Sequence, residues 1–196
     1  MAPVDDVAAA VLARTGPVTA MQLQKLVYYV QAWHLAEHDQ PAFDEPIEAW
    51  KDGPVVRRLF ERHRGRRTVG NWPAGNAAEL PHTVQEIVDR VARVYGRLTG
   101  DQLSDLAHRE LPWRQARGRT PDARRSNATI DPATMRDFYR RQAGGSAETM
   151  VRYAVASARL EGASEPSREE LDTLLAVAEG RVEVEQALAE VLAPYR

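Results

Sequence analysis

The sequence predicts a mainly α-helical protein: a compact multi-helix domain with a short extended or small β segment near residues 44–52, followed by a three-helix C-terminal tail. Three observations support this fold class. Apolar residues recur at three- and four-residue steps, which is the spacing of one helix face. Ser, Thr or Asp precedes several of these runs, and Gly or Pro follows them, as at helix ends. A glycine pair at positions 144–145 then separates the domain from an acidic remainder.

The first two helices are predicted from their periodicity and their ends. The first covers about residues 5–15 and stops at Gly16-Pro17, because glycine favours a helix end and proline cannot continue a helix. The second covers about residues 20–38, and Thr19 and Gln22 match a capping box at its start. Its apolar face is formed by Leu23, Leu26, Val27, Val30 and Trp33.

The segment after the second helix is predicted to be extended. Prolines and a Lys51-Asp52-Gly53-Pro54 turn flank the short run from Ile47 to Trp50, which favours a strand over a helix. Pro54 is expected to begin a helix through Phe60, since proline fits the first helical turn. Residues 65–81 contain three glycines and two prolines and are expected to form a loop.

Further helices are predicted in the second half of the domain. Thr83 and Glu86 match a capping box before a long helix that is expected to end at Gly100. Asp101 is expected to cap a short helix, and Pro112-Trp113 is expected to open another turn. A loop over residues 118–130 and a helix from Asp131 to Tyr139 complete this half.

The best boundary in the chain lies at Gly144-Gly145-Ser146, because a glycine pair both ends a helix and frees the segment after it. The charge also changes there. Residues 146–196 carry ten acidic and five basic side chains, a net charge of −5, which leaves +3 of the total of −2 for residues 1–145. We expect a main domain over residues 1–142, a linker over 143–146 and a helical tail over 147–196.

Composition narrows the range of functions. The 196-residue chain has no cysteine, which excludes disulfides and thiolate zinc sites. No apolar run approaches the ~20 residues of a membrane-spanning helix, and the first residues are acidic where a secretory signal is basic. We therefore expect a cytoplasmic protein without membrane contact. Phosphate-binding glycine loops and a G-x-S-x-G motif are absent from the sequence, so we expect neither a cofactor nor an enzyme.

Two groups of residues resemble catalytic sites. The string from His34 to His38 matches the H-x-x-E-H pattern of zinc proteases, and its two imidazoles share one helix face. The motif identifies no third ligand, and a structural or surface role is favoured. Ser104, His108 and Glu110 are spaced by four and two residues, which does not build a catalytic triad.

Arginine supplies all but two of the 26 basic residues, Lys25 and Lys51 being the exceptions. Residues 57–67 and 109–125 hold six arginines each, which suits a phosphate backbone or an acidic protein surface. Codon bias and a solvated face are the simpler explanations. The acidic net charge favours a solvated face or an acidic protein partner over DNA. The carboxylates expected to neutralise these stretches are Glu61, Glu110 and Asp122.

Four sequence blocks between Thr19 and Tyr139 resemble the Panacea-domain family of SocA-like antitoxins. They are TAMQLQKLVYYVQAWHLA, FDEPIEAWKDGPVV, LSDLAHRELPWRQAR and IDPATMRDFY. The resemblance implies a mainly helical domain that binds protein toxins and, in at least one member, delivers a toxin to a protease. Residues implied as family signature or partner-docking positions are Lys25, Tyr28, Tyr29, Trp33, His34, Trp50, Gly53, Pro54, His108, Glu110, Trp113 and Arg117.

The tail resembles the small VbhA-type antitoxins that inhibit Fic toxins, which transfer AMP to target proteins. Ser157, Glu161 and Gly162 occupy the [ST]-x-x-x-E-[GN] motif of that family, and the similarity continues through GRVEVEQAL. The resemblance implies an inhibitory helix whose Glu161 pairs with the toxin arginine that otherwise positions the ATP γ-phosphate. The leading hypothesis is therefore an antitoxin of a Fic-domain toxin. The alternative is a DNA-binding autoregulator or a protease adaptor acting through the Panacea-like domain.

Overall fold

Seven α-helices and two small antiparallel sheets form residues 1–121 and 124–142 of the computed structural model, which also describes Arg168, Asp172, Thr173 and Ala176. This confirms the mainly α fold class. The chain divides into two compact units, Met1–Arg141 and Gln142–Arg196. The elements in chain order are α1 (Val4–Thr15), β1 (Val18–Thr19), α2 (Ala20–His38), β2 (Ile47–Trp50), β3 (Gly53–Val56), α3 (Arg57–His63), β4 (Thr68–Val69), a 3-10 helix (Ala77–Glu79), α4 (His82–Tyr95), α5 (Gly100–Arg109), α6 (Leu111–Arg117) and α7 (Pro132–Gln142).

Helix α2 lies at the centre of the domain. Every residue from Leu23 to Ala36 is buried, and the helix contacts α1, α4, α5 and β3. A helix buried on all sides must satisfy its polar side chains internally. Gln31 does so by accepting from the backbone N–H of Ala42 at 2.8 Å and donating to the carbonyl of Phe43 at 3.0 Å. The central helix thereby holds the segment that follows it.

Several predicted helix ends are confirmed. Helix α1 ends before Gly16, and α2 covers the predicted range with its first turn capped by Thr19, whose Oγ1 accepts from the N–H of Gln22 at 3.1 Å. The Gln22 side chain donates instead to the carbonyl of Gly96, so the capping box is only half formed. Asp131 caps α7 by accepting from the N–H of Thr134 at 2.9 Å.

The predicted start of α4 is wrong. The helix begins at His82 after Pro81, and no side chain caps it, so Thr83 and Glu86 form no capping box. Thr83 lies inside the first turn, and its hydroxyl is 3.3 Å from Nε2 of His34 on α2. A tertiary contact therefore uses the side chain that the local pattern assigned to capping.

The predicted junction between α4 and α5 is also wrong. Helix α4 ends at Tyr95 and not at Gly100, and Thr99 rather than Asp101 caps α5. Thr99 and Gln102 form a reciprocal capping box, with hydrogen bonds of 3.2 Å and 2.8 Å. Gly100 belongs to the first turn of α5 and lies against Met21 and Gln22 of α2.

The extended segment forms a β-hairpin, as its sequence predicts, but Pro54 does not begin a helix. It lies in β3, paired with Ala49 of β2, and α3 begins at Arg57. Strand β4 lies inside the region expected to be a loop, and its Val69 pairs with Val18 of β1. Strands of two residues are too short to leave a periodic signal, and the rest of that region contains only the 3-10 helix.

The described residues contain no helix that is long and apolar enough to span a membrane. The predicted linker over 143–146 lies outside the described residues. So do Ser157, Glu161 and Gly162.

Gly53, at the hairpin turn, combines two constraints. Its φ is +94°, a conformation that L side chains rarely adopt, and a Cβ there would lie 2.6 Å from Cε of Lys25 and 3.2 Å from Oγ of Ser104. Gly65 also has a positive φ, +81°, but no atom lies within 4 Å of the position of its Cβ. A comparison of the two glycines therefore distinguishes the effect of backbone strain from that of crowding.

We expect Gly53→Ala to destabilise the protein more than Gly65→Ala. Both substitutions strain the backbone by about 1 kcal/mol, and Gly53→Ala adds an overpacking cost of about 1–3 kcal/mol. Urea unfolding of the two variants measures the difference. Equal losses of unfolding free energy would show that the contact with Lys25 yields without strain.

Candidate functional site

The residues singled out by the family resemblance lie mostly in the interior. All twelve are buried except Trp50 and His108, which are partly exposed. Buried side chains cannot contact a partner directly, so this placement favours a role in shaping the domain. Most of these residues fall into three groups of contacts, which together hold the β2–β3 hairpin and its surroundings in position.

The first group surrounds Glu110, at the junction of α5 and α6. Its carboxylate has no exposed surface and accepts hydrogen bonds from the hydroxyls of Tyr28 at 2.8 Å, Tyr29 at 3.0 Å and Tyr139 at 2.6 Å. Tyr28 and Tyr29 lie on α2 and Tyr139 on α7, so one carboxyl group ties three parts of the domain together. We call these four residues the tyrosine–glutamate cluster.

The interior position changes the acidity of this cluster. Burial raises the pKa of Glu110 to about 7 from its ordinary 4.5, and the three tyrosine hydroxyls oppose part of that rise. Burial and the neighbouring Glu110 raise the pKa of Tyr139 well above 10. The carboxyl of Glu110 therefore titrates near neutral pH, far from where an exposed glutamate does.

Aromatic contacts extend the cluster to α4. The rings of Tyr29 and Tyr95 stack with centroids 4.3 Å apart and an angle of 6° between their planes. The indole N–H of Trp33 donates to the Tyr95 hydroxyl at 3.2 Å, and the Trp33 ring meets Tyr139 edge-on at 5.1 Å. Trp33 therefore belongs to the core of the domain and links α2 to both α4 and α7.

The second group holds the turn of the hairpin. The ammonium of Lys25 donates to the carbonyl of Pro54 at 3.1 Å, and the hydroxyl of Ser104 donates to the carbonyl of Asp52 at 2.8 Å. Burial lowers the pKa of Lys25 to about 7, and Asp52 opposes part of that fall. A buried side chain from α2 thus binds the backbone at Pro54 and packs against Gly53.

The third group ties α6 to the hairpin. The indole N–H of Trp113 donates to the carbonyl of Trp50 at 3.0 Å. His108 stacks on the Trp113 ring at a centroid distance of 4.0 Å, and the guanidinium of Arg117 lies 4.8 Å from the same ring. His108 therefore packs against an aromatic ring.

Arg117 also joins the hairpin to the loop after α6. Its guanidinium donates to the carbonyl of Ala49 at 3.1 Å and to those of Pro121 and Arg124 at 2.6 Å and 2.7 Å. The same loop pairs with β2 through hydrogen bonds of 2.8 Å at Ala49 and Ile47. One buried guanidinium thus positions two separate backbone segments.

His34 and His38 have local partners. In His34, Nδ1 lies 2.7 Å from the carbonyl of Gln40 and Nε2 lies 3.3 Å from the hydroxyl of Thr83, while burial lowers its pKa. The rings of His34 and His38 are 4.7 Å apart. The described residues contain no group of three or more His, Asp or Glu able to hold a metal. The geometry supports the structural role that the sequence favoured.

A surface cleft lies beside the frame formed by these three groups. Its volume is about 560 Å³, and its walls come from the hairpin turn, α3 and the loop after α6. We call it the hairpin cleft. It is lined by Trp50, Lys51, Asp52, Arg57, Phe60, Arg64, Arg125, Ser126 and Asn127.

Both arginine-rich stretches contribute to the hairpin cleft. Arg57 is already paired, since Glu48 accepts two hydrogen bonds from its guanidinium at 2.8 Å and 2.9 Å. Arg64 and Arg125 are exposed, and neither side chain forms an ion pair or a hydrogen bond with another residue that the structure describes. Sequence reasoning missed this convergence, because the two stretches are brought together only by the fold.

Other arginines of the first stretch are neutralised by a buried carboxylate. Asp5, only 2% exposed, accepts hydrogen bonds from Arg58 at 2.9 Å, from Arg62 at 3.1 Å and from the indole of Trp72 at 2.9 Å. Asp5 and Glu48 therefore neutralise three arginines of the first stretch. The sequence had suggested Glu61, Glu110 and Asp122 for that role. Glu61 adds to the negative potential at Arg57, Glu110 is enclosed by tyrosines, and Asp122 lies outside the described residues.

These contacts define a class: a small helical domain whose buried polar side chains hold a β-hairpin and an adjoining cleft in fixed positions. Residues 23–114 match the family described as antitoxin SocA-like, Panacea domain. The chain therefore carries a domain of this family, as the sequence blocks had indicated.

A curated relative supports the same assignment. The protein named Antitoxin SocA from Caulobacter vibrioides (strain NA1000 / CB15N) is 26% identical to this chain over 110 residues. That alignment covers 50% of this chain and 58% of the relative, so it extends over little more than half of the relative's length. No solved structure matches the chain significantly.

The family match covers most of the frame but not the whole of it. It runs from the first turn of α2 into α6 and includes Lys25, Tyr28, Tyr29, Glu110 and Trp113. Arg117, Tyr139 and the loop wall of the hairpin cleft lie after it. The match does not reach the tail, whose resemblance to Fic-inhibiting antitoxins stays a prediction.

We expect the stability of the protein to depend on pH through Glu110. Its pKa is raised in the folded state, so its contribution to stability is complete below about pH 4.5 and is lost as the pH rises through about 7. The unfolding free energy of the unmodified protein should therefore fall by about 3 kcal/mol relative to Glu110→Gln between about pH 5 and about pH 8.

Urea unfolding of both proteins across this pH range measures the effect. Lys25 titrates in both and cancels in the comparison. The exposed Glu61→Gln variant serves as the control and should follow the unmodified protein. Parallel curves for Glu110→Gln and the unmodified protein would show that Glu110 keeps its ordinary pKa.

Proposed function

We propose that this protein is an antitoxin of a toxin–antitoxin system and neutralises a protein toxin by binding it. The observation that carries the proposal is the match of residues 23–114 to the SocA-like antitoxin family. The similarity to Antitoxin SocA supports it. We place the protein in the bacterial cytoplasm, acting on its toxin as a binding protein and not as an enzyme.

The buried frame supports a binding role. Side chains from α2, α5 and α6 fix the backbone of the hairpin, and Arg117 fixes the loop beside it. A surface that is ordered before binding loses less conformational entropy when a partner docks. The domain thus offers a preformed face to a protein partner.

The partner that we propose is a Fic-domain AMP-transferase. The support is the tail sequence, in which Ser157, Glu161 and Gly162 match the inhibitory motif. A carboxylate that forms a bidentate pair with the toxin's ATP-positioning arginine would withdraw that arginine from the γ-phosphate. Nucleotidyl transfer depends on such positioning and electrostatics, so one carboxylate can suppress it.

The two units would then divide the work. The tail would block the active site of the toxin, while the Panacea domain would dock the toxin or deliver it to a protease. A DNA-binding autoregulator has less support, since Arg57, Arg58 and Arg62 already bind carboxylates of the domain itself. These arginines are less available to phosphates than their sequence density suggests.

We expect Glu161→Gly to release the toxin from inhibition without dissociating it. The variant is co-expressed with the toxin encoded by the neighbouring gene, and growth, AMP transfer and co-purification are measured. AMP transfer should rise at least about tenfold, because the variant lacks the carboxylate that competes for the arginine. The complex should still co-purify through the remaining contacts.

Glu165→Gly, which removes a tail carboxylate outside the motif, is the matched control and should remain fully inhibitory. Complete suppression of AMP transfer by Glu161→Gly would disprove the inhibitory-helix mechanism. Failure of the unmodified chain to bind or silence any neighbouring toxin would disprove the antitoxin function itself.

A further inference from the structure

Four cationic side chains line the hairpin cleft, and two of them are paired with a carboxylate. Lys51 lies 3.8 Å from the carboxylate of Asp52, and Arg57 is held by Glu48. Among the described residues, neither Arg64, which follows α3, nor Arg125, in the loop after α6, has an ion-pair partner, and both are exposed. Two planar guanidinium groups therefore line the cleft, and each can bind a carboxylate in a bidentate manner.

Two aromatic side chains also line the cleft. Trp50 and Phe60 meet edge to face with ring centroids 4.8 Å apart, and both side chains are partly exposed. Glu48 fixes the Trp50 ring by accepting from its indole N–H at 2.7 Å. An oriented aromatic pair offers an apolar contact in the same cleft as the two arginines.

We propose that the hairpin cleft binds an acidic segment of the protein partner. One apolar side chain of that segment packs against Trp50 and Phe60, and flanking carboxylates pair with Arg64 and Arg125. The inference rests on the proposed function in so far as the partner is a protein toxin, and it names the surface and the chemistry by which the described domain holds that partner.

The geometry favours an acidic peptide over nucleic acid. One face of the Trp50 ring is occupied by the guanidinium of Arg57, 5.8 Å from the ring centroid, so a base cannot stack there. Lys51 and Arg57 are already paired, so two separate arginines are left to bind an anion, which suits the carboxylates of a short acidic segment better than the continuous charge of a phosphate backbone.

The cleft is formed without the partner. Arg117 is buried and holds both the hairpin and the loop that carries Arg125. The indole N–H of Trp113 holds the carbonyl of Trp50. The walls therefore need no rearrangement to receive a segment of this kind, and an isolated peptide should bind measurably.

The test uses the full-length chain labelled with nitrogen-15 and the NMR signal of the Trp50 indole. The probe is a synthetic heptapeptide with one phenylalanine flanked on each side by three glutamates. We expect shifts of the Trp50 indole and of neighbouring amides, with a dissociation constant of about 1 mM or tighter. High salt should weaken the binding, since exposed ion pairs contribute to it.

Two double variants with equal charge change locate the site. Arg64→Glu with Arg125→Glu should weaken binding about tenfold or more. Arg93→Glu with Arg97→Glu alters exposed arginines outside the cleft and should leave binding within about twofold of the unmodified chain. If the first pair perturbs folding, Arg64→Gln with Arg125→Gln replaces it.

Several outcomes would overturn the inference. They are no shift at the Trp50 indole, equal weakening by both double variants, or tighter binding of a single-stranded oligonucleotide than of the peptide. Inorganic phosphate that shifts the same signals at equal concentration would reduce the cleft to a general anion site.

The cleft and the proposed function can fail separately. If the peptide binds as expected but no neighbouring toxin is silenced, the cleft binds acidic segments and the antitoxin function is disproved. If Arg64→Glu with Arg125→Glu co-purifies with the toxin as well as the unmodified chain does, the antitoxin function stands and the cleft is not its docking surface.

Discussion

The burial of one carboxyl group, that of Glu110, is the constraint on which the rest of the domain depends. A carboxyl without solvent needs hydrogen-bond donors, and here three tyrosine hydroxyls supply them. Two come from adjacent residues of α2, and the third comes from α7. Meeting this requirement brings the central helix, helix α7 and the α5–α6 junction together. The pKa of Glu110 near neutrality reflects how completely water is excluded there.

The α5–α6 junction positions α6, and side chains of α6 in turn hold the hairpin. Trp113 and Arg117 project from this short helix to the backbone of β2, while Lys25 reaches β3 from the other side. The family match therefore includes most of the residues that hold the hairpin from the interior. The surface beside them is partly independent of it, because the loop wall that carries Arg125 lies beyond the matched range. A shared frame can thus support a cleft whose chemistry belongs to this chain.

The sequence-based predictions failed where a tertiary contact competed with a local motif. Pro54 suits a first helical turn, yet it lies in a strand because its carbonyl is bound by Lys25. Thr83 suits an N-cap, yet its hydroxyl lies against His34. The arginine stretches looked uniform in sequence, but Asp5, from the first helix, binds two of their members. In each case the partner is between 29 and 57 residues away, beyond any local pattern.

By itself, the sequence determined the helical class, the first two helices, the extended segment and the family blocks, because these depend on short-range periodicity, turn residues and motif order. It also singled out Glu110, Trp113 and Arg117, although not their contacts. Only the tertiary structure decided that these residues are interior and that Arg64 and Arg125 share one cleft. The physical reason is that burial and charge pairing depend on neighbours brought together by the fold, and spacing along the chain carries no record of them.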